Sequence, residues 1–386
     1  LPAEAGAARG RLSDLARFNL HCGAHAFAIC MGTMFTGIFL LRQGLSVAAV
    51  FLVFGAVLAL RFALRPLALA VAPRIGLKRS LALGCVFYAG QYLLLPTIGG
   101  LDAGLALYCL VSGFSNVFYW TTYHALFAAL SDSARMGRQV GWRQLLTTAA
   151  SVAGPIAAGA LLASRGPWAA FGIAAALMLA SILPLLGVRE PGLSRHAPAG
   201  AYAAGRRAAL LFATDGWIGN TAANAWGLVV FQTLGQRYDA FGWLMAAAAL
   251  SGALAGLALG RFIDLGHGRR AVALNAVLGS ALFLAQARGA GDVAAVSALA
   301  IAGAFFGALY LPSLMAVVYR AARAAPCVFR FHFVLEGGWD AGGVAGCLAA
   351  AGLSAVGAPP AIAIGLAIPA LLAQAALLTR DHPPGR

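Results

Sequence analysis

Titratable residues are scarce in this chain, and several recur at four-residue spacing inside apolar runs. His332, Glu336 and Asp340 follow one another at intervals of four, with Trp339 beside them. In a helix that spacing places all three on one face. Two carboxylates and an imidazole in a row can pass or hold protons, so Glu336 and Asp340 are the first candidates for proton coupling. Asp215, followed by Trp217, Asn220 and Asn224, is a third. An unpaired carboxylate can exchange a proton, whereas one paired with an arginine acts as a strut or gate.

Other residues could bind a solute. Arg61 and Arg65 are again four apart. Arg61 is the deeper and needs an anion, either a protein carboxylate or a substrate; Arg65 sits close enough to the segment end to reach the surface along its aliphatic stem. Arg143 could pair with Asp215 or Glu336, or hold an anionic substrate. His21 and His25 share a face. Tyr119, Trp120, Tyr123 and His124 form an aromatic cluster able to stack on a substrate or to pack as a layer. The substrate-binding candidates are thus His25, Arg61, Tyr119, Trp120, His124, Arg143, Asn220 and Asn224. The His, Asp and Glu side chains are donors suited to a first-row metal, but their spacing matches no metal motif, so neither a metal nor a cofactor is expected. The six cysteines form no CxxC pair, and as small apolar side chains they are expected to be buried.

The elements that hold these groups are long and apolar. Of 386 residues, 61% are hydrophobic and 10% charged, with a mean hydropathy of +0.83, whereas soluble domains carry about 25% charged residues. The chain is therefore expected to be an integral, multi-pass membrane protein in contact with lipid. Its net charge of +15 does not point to nucleic acid, because the basic residues fall in short loops between apolar runs. Twelve segments are long enough to span a bilayer: 18–41, 46–70, 80–98, 103–128, 139–163, 167–187, 208–233, 240–261, 271–287, 293–318, 331–356 and 360–379. Helices are expected, since each satisfies its own backbone in lipid.

One set of loops holds most of the arginines. The opposite set holds only Arg42, Arg165, Arg237 and Arg288. The positive-inside rule then puts both termini in the cytoplasm, in what we expect to be a bacterial cytoplasmic membrane. Leu1 to Ser13 lack the apolar core of a signal peptide, and Leu rather than Met opens the chain, so residue 1 is not taken as the natural start.

The chain also repeats itself. The turn Gly76-Leu77-Lys78-Arg79 has a counterpart at Gly268-Arg269-Arg270. At the same offset, Arg138 to Gly154 has a counterpart in Arg330 to Gly346. Two similar halves with a site between them are the usual construction of a secondary transporter. The expected organisation is a six-helix bundle over 1–187, a flexible Pro/Gly/Arg-rich linker over 188–207 and a second six-helix bundle over 208–386.

This layout resembles the major facilitator superfamily. So do short motifs. Gly260-Arg261-Phe262-Ile263-Asp264, continuing to Gly268-Arg269-Arg270, is similar to the family's G-x-x-x-D-R-x-G-R-R turn with one extra residue. The earlier copy keeps Arg74, Gly76 and Arg79 but has Pro73 in place of the Asp and Leu69 in place of the Gly. Gly154-Pro155-Ile156-Ala157-Ala158-Gly159 is similar to the G-P-x-x-G-G element frequent in the family's antiporters. The resemblance implies an all-α fold of twelve transmembrane helices in two pseudo-symmetric bundles. It implies gating roles for Arg74, Gly76, Arg79, Gly154, Pro155, Gly260, Asp264, Gly268, Arg269 and Arg270, with the missing first Asp shifting its work to Asp264. It implies a monomer that moves a small solute by alternating access, coupled to protons, with efflux by antiport as one sense. Uptake or exchange of an anionic or zwitterionic metabolite, or of a metal chelate, is the other. A transporter-like sensor is a remote alternative. An enzyme is not expected, since no nucleophile elbow or HExxH motif occurs.

Overall fold

The computed structural model describes residues 12–130, 136–264, 268–288 and 291–379; within helices, the side chains of 136–142, 257–264, 268, 269 and 271 lie outside the described set. The described residues form helices and no strand. We number twelve helical units: α1 (Asp14–Arg42, interrupted at Gly32), α2 (Val47–Leu64 and Pro66–Ile75), α3 (Leu77–Leu94), α4 (Ala103–Leu130), α5 (Met136–Ser164) and α6 (Pro167–Ala180 and Leu183–Leu186). The second half holds α7 (Arg206–Ile218, a π turn Gly219–Ala223, and Asn224–Thr233), α8 (Tyr238–Asp264), α9 (Gly268–Ala287), α10 (Val293–Ala324), α11 (Val328–Ala355) and α12 (Pro360–Gly365 and Ala367–Thr379). Their ends fall within a few residues of the twelve predicted segments.

Local chemistry sets many of these ends. The hydroxyls of Ser13 and Ser46 and the carboxylate of Asp292 accept from the amides of Ala16, Ala49 and Ala295, capping the open amides of a first helical turn. The amides of Leu105 and Gly99 hold the loop carboxyl of Asp102 below the usual carboxylate range. That contribution is present above the range and lost as pH falls through it. Pro66, Pro167 and Pro360 open helices, where a missing N–H costs nothing.

Nine helical stretches among the described residues are long and apolar enough to cross a membrane. Those outside the nine are α7, α9 and α11. A π turn divides α7, which carries Asp215. The described part of α9 that is apolar, Val272–Ala287, is short. Helix α11 carries Arg330, Glu336 and Asp340 and is rich in glycine.

The helix contacts repeat with a shift of six. In the first half α1 packs on α5 and α6, α2 on α4, and α3 on α4 and α6. In the second, α7 packs on α11 and α12, α8 on α10, and α9 on α10 and α12. The two most extensive contacts between halves, α2 with α11 and α5 with α8, exchange under the same shift. The sequence repeat thus reappears as a repeat of packing.

Small residues set the closest approaches. Gly338, Gly342 and Gly346, four apart on α11, lie against the backbone of Ala209, Ala213 and Trp217 on α7. Gly154 of α5 lies against Cys30 of α1, and Gly242 of α8 against the carbonyl of Pro155. Small residues let backbones approach without side-chain interference. The Gly154-Pro155 element is therefore a packing surface at both α1 and α8.

The segment expected as a flexible linker is tied to both halves. Val188 and Glu190 accept from Lys78, at 2.7 and 2.9 Å. The carbonyls of Ser194 and Arg195 accept from Arg330, at 3.2 and 2.9 Å.

A substitution pair isolates the glycine packing. Ala is a better helix former than Gly by about 1 kcal/mol. A Cβ at Gly352 meets nothing, while a Cβ at Gly342 meets the Ala213 backbone. Gly352→Ala is expected to keep or raise the melting temperature of the detergent-solubilised protein. Gly342→Ala is expected to lower it, reversing the sign that helix propensity gives.

Candidate functional site

Four buried charges join the two halves. Arg61 and Arg65 of α2 face Glu336 and Asp340 of α11, and each residue is 5% exposed or less. The Arg61 Nη2 donates to Glu336, and its Nε lies 3.2 Å from Asp340 Oδ1. The Arg65 Nη2 donates to Asp340 and, at 3.1 Å, to the Glu336 carbonyl. The four-residue spacing on each helix brings two charges of one sign to the shared seam, and the cluster balances. The surface role expected of Arg65 is corrected: its neighbours turn it inward, one helical turn from Arg61 on the same face.

Beside this cluster the imidazoles of His124 (α4) and His332 (α11) stack, with ring centroids 4.5 Å apart and planes 12° from parallel. His124 Nε2 lies 3.7 Å from Glu336 Oε1. Arg143 pairs with neither of the two protein carboxylates considered for it, Asp215 and Glu336. Its Nη1 donates to Tyr123 Oη at 3.2 Å, and its guanidinium lies 4.2 Å from the centre of the Phe127 ring.

Asp215 is held differently. Tyr310 donates to one carboxylate oxygen at 2.6 Å and Trp339 Nε1 to the other at 3.1 Å. Among the described residues no cation reaches it, so it has only neutral donors. Trp339 also lies beneath the Arg61 guanidinium, 5.3 Å from ring centre to carbon. One indole thus touches both the balanced cluster and the unbalanced carboxylate. Tyr310 carried no signal in the sequence that linked it to Asp215.

The aromatic residues of α4 are mostly committed to packing. The His25 ring stacks on Tyr119 at 3.8 Å, while Trp120 donates to Tyr88 Oη at 3.1 Å. His21 Nδ1 lies 2.8 Å from the Ser181 carbonyl, and its Nε2 lies 3.2 Å from Tyr119 Oη. A carbonyl only accepts, so Nδ1 carries the proton and neutral His21 accepts from Tyr119. His25, Tyr119, Trp120, His124 and Arg143 all lie off the cavity wall.

That cavity has a volume of about 590 Å³. It is lined by the second halves of α1 and α7 and the first half of α4, with Arg61 and Trp339 at the floor. It therefore lies on the side of the ion cluster away from the arginine-rich loops. Asn220 and Asn224 are on its wall, as expected, and the Asn224 amide donates to Asn220 Oδ1 at 3.3 Å. The π turn that carries Asn220 is the local irregularity of α7, and such turns gather at functional sites. Sequence reasoning missed Tyr88, Gln91, Ser112, Asn116 and Trp226 on the same wall. Polar residues inside apolar segments were the available signal.

At the α2–α3 turn, Gly76 adopts φ +99°, which L side chains rarely adopt. Arg79 is exposed, and Arg74 donates back to the Ala70 carbonyl. A carboxylate from the linker lies at this turn: Glu190 packs on Gly76 and accepts from the Lys78 amide. In the second copy, the side chains of Gly260, Asp264, Gly268 and Arg269 lie outside the described residues, while Arg270 is exposed. The expected transfer of the missing Asp's work to Asp264 falls there too.

No protein-family model matches the chain, and no curated protein matches it. Solved structures do. The human organic anion transporter MFSD10 superposes with a TM-score of 0.70 at 17% identity, covering 94% of this chain and 98% of its own. An autoinhibited POT family peptide transporter gives 0.72 at 12%, covering 96% and 98%. A bacterial homologue of the iron transporter ferroportin, in its inward-facing state, gives 0.64 at 12%, covering 96% and 99%. Over nearly its whole length the chain has the fold of the major facilitator superfamily.

Proposed function

We propose that this protein is a proton-coupled secondary active transporter that moves a small solute by alternating access. The observation that carries the reading is a cavity between two pseudo-symmetric halves with Arg61, one member of the buried ion cluster that joins those halves, on its wall. The proteins similar in fold include an organic anion transporter, a peptide transporter and a homologue of an iron transporter, so the fold names no cargo.

In this reading the arginine-rich loops and both termini face the cytoplasm, as the charge asymmetry favours. The α2–α11 cluster and the His124–His332 stack close the cytoplasmic side. Opening that side separates arginines from carboxylates. Leaving one buried charge unpaired costs about 3–5 kcal/mol, so the helices part only when each charge finds a substitute partner. A proton on a carboxylate is one substitute. A charged group on the substrate is another.

Glu336 and Asp340 can lose a proton partner or regain an arginine as α2 and α11 move. Asp215, held by neutral donors alone, can take a proton without breaking an ion pair. Trp339 connects these sites, because it touches Arg61 on one side and Asp215 on the other. Glu190, on the linker, holds the α2–α3 turn to the segment joining the halves.

The test is proton movement in liposomes containing the purified protein and a pH-sensitive dye, challenged with a panel of metabolites and amphipathic drugs. Substrate-triggered proton flux is expected in the wild type. It is expected to fall at least tenfold in Asp215→Asn and in Glu336→Gln. Substrate flux without proton movement, unchanged in both variants, would sink the coupling assignment.

A charge-balance comparison checks the gate. Asp340→Asn alone leaves Arg65 without its carboxylate and is expected to lower stability by about 3–5 kcal/mol. Arg65→Met with Asp340→Leu removes both charges and is expected to recover most of that loss in thermal unfolding. Equal destabilisation in the single and paired variants would remove the ion pair from the gate.

A further inference from the structure

We propose that the cavity takes an organic monoanion, a single acidic group on a partly apolar body, and binds it together with one proton. This rests on the transporter reading and adds the class of cargo and the sense of coupling.

Among the described residues, the wall of the cavity contains one charged side chain, that of Arg61, and no Asp, Glu, Lys or His. Arg61 spends Nη2 on Glu336, while its Nε, 3.2 Å from Asp340 Oδ1, is buried with no hydrogen-bond partner among the described residues. The indole N–H of Trp226, a residue also on the wall, is buried with no partner among the described residues. A guanidinium and an indole N–H only donate. The two groups that await a partner therefore call for acceptors, and one of them carries positive charge. A cationic solute would meet Arg61 with no wall carboxylate to offset it.

The remainder of the wall describes the body of the ligand. Phe54, Trp339, Phe241 and Met245 offer apolar and aromatic surface, and Gln91 and Asn116 offer amides. A volume of about 590 Å³ falls among pockets that enclose drug-sized ligands. An inorganic anion would leave most of this surface uncovered.

Charge balance fixes the number of charges. Arg61 and Arg65 are matched by Glu336 and Asp340, so these four groups sum to zero before the anion enters; His124 and His332 beside Glu336, and Asp215 across Trp339, are the other titratable groups packed there. One entering anion takes Arg61 from Glu336 and leaves a net charge of −1 on a cluster whose residues are each 5% exposed or less. One proton restores neutrality. A dianion would need two. Anion and proton are then bound at the same time and travel in the same direction, which makes the coupling symport. No bond to carbon is made or broken, and the proton moves from water to a carboxylate oxygen.

The experiment uses a matched set of probes on the purified full chain in detergent. Binding of 4-phenylbutyrate, 4-phenylbutanamide, 4-phenylbutylamine and phenylsuccinate is followed by tryptophan fluorescence, since Trp226 and Trp339 line the cavity. Proton uptake is followed in weakly buffered solution. The expected result is saturable binding of 4-phenylbutyrate, at least tenfold tighter than the other three, with about one proton taken up per molecule bound. The double variant Arg61→Gln/Glu336→Gln removes one charge of each sign. It is expected to bind the acid no better than the amide.

The proposal is overturned if the amine, amide or dianion binds as tightly as the acid, or if no probe binds saturably. It is also overturned if acid selectivity survives in the double variant, or if the acid binds without proton uptake. Acid-selective binding without flux in liposomes would sink the transporter reading and leave the ligand class standing. Flux of the amine would do the reverse.

Discussion

Two guanidinium groups on α2 and two carboxylates on α11 meet where each residue is 5% exposed or less. Each alone would be prohibitive in that setting, and together they cancel. The fold must therefore keep α2 and α11 in one register or supply other partners for the charges. Buried ion pairs are poor devices for stability, since well-packed apolar residues of the same volume often do as well. Their value lies in being all or none. A joint that is closed when paired and costly when half open suits a protein with two conformations.

The rest of the structure keeps that joint in place and connects it to the cavity. Glycines at 338, 342 and 346 bring α11 onto the α7 backbone. That approach lets Trp339 donate to Asp215 on α7 while its ring lies under Arg61 on α2. A bulkier seam would hold the carboxylate away from the indole. The π turn then puts Asn220 and Asn224 on the cavity wall above. The chain from packing to site geometry is short: small residues set a distance, the distance sets a hydrogen bond, and the hydrogen bond puts two charged sites on one indole.

Much of this was legible in the sequence. The twelve segments and their ends follow from apolar length and loop charge. Buried ionisable residues stood out because they are costly in a membrane, and Arg61, Asp215, Glu336 and Asp340 all fall at the joint or beside it. Their partners were not legible, because α2 and α11 are distant in sequence and no local signal pairs them. Arg65 was misjudged for its nearness to a segment end, when its four-residue spacing from Arg61 held the better clue. Arg143 found a phenol and an aromatic face, which single-residue reasoning cannot foresee. Glu190, in a segment expected to be flexible, accepts from the Lys78 amide at the α2–α3 turn.

The most direct test of the central claim is a distance across the arginine-rich face. Spin labels at Arg74→Cys on α2 and Arg320→Cys on α10, in a background with the native cysteines replaced, report its opening by pulsed dipolar spectroscopy. The charge-removing pair Arg61→Gln/Glu336→Gln is compared with the unaltered cluster. If the α2–α11 ion pairs hold this side shut, the unaltered protein gives mainly the short distance and the paired variant a substantially larger fraction of a longer one. Identical distance distributions in the two proteins would contradict the account and make the cluster a passive feature of packing.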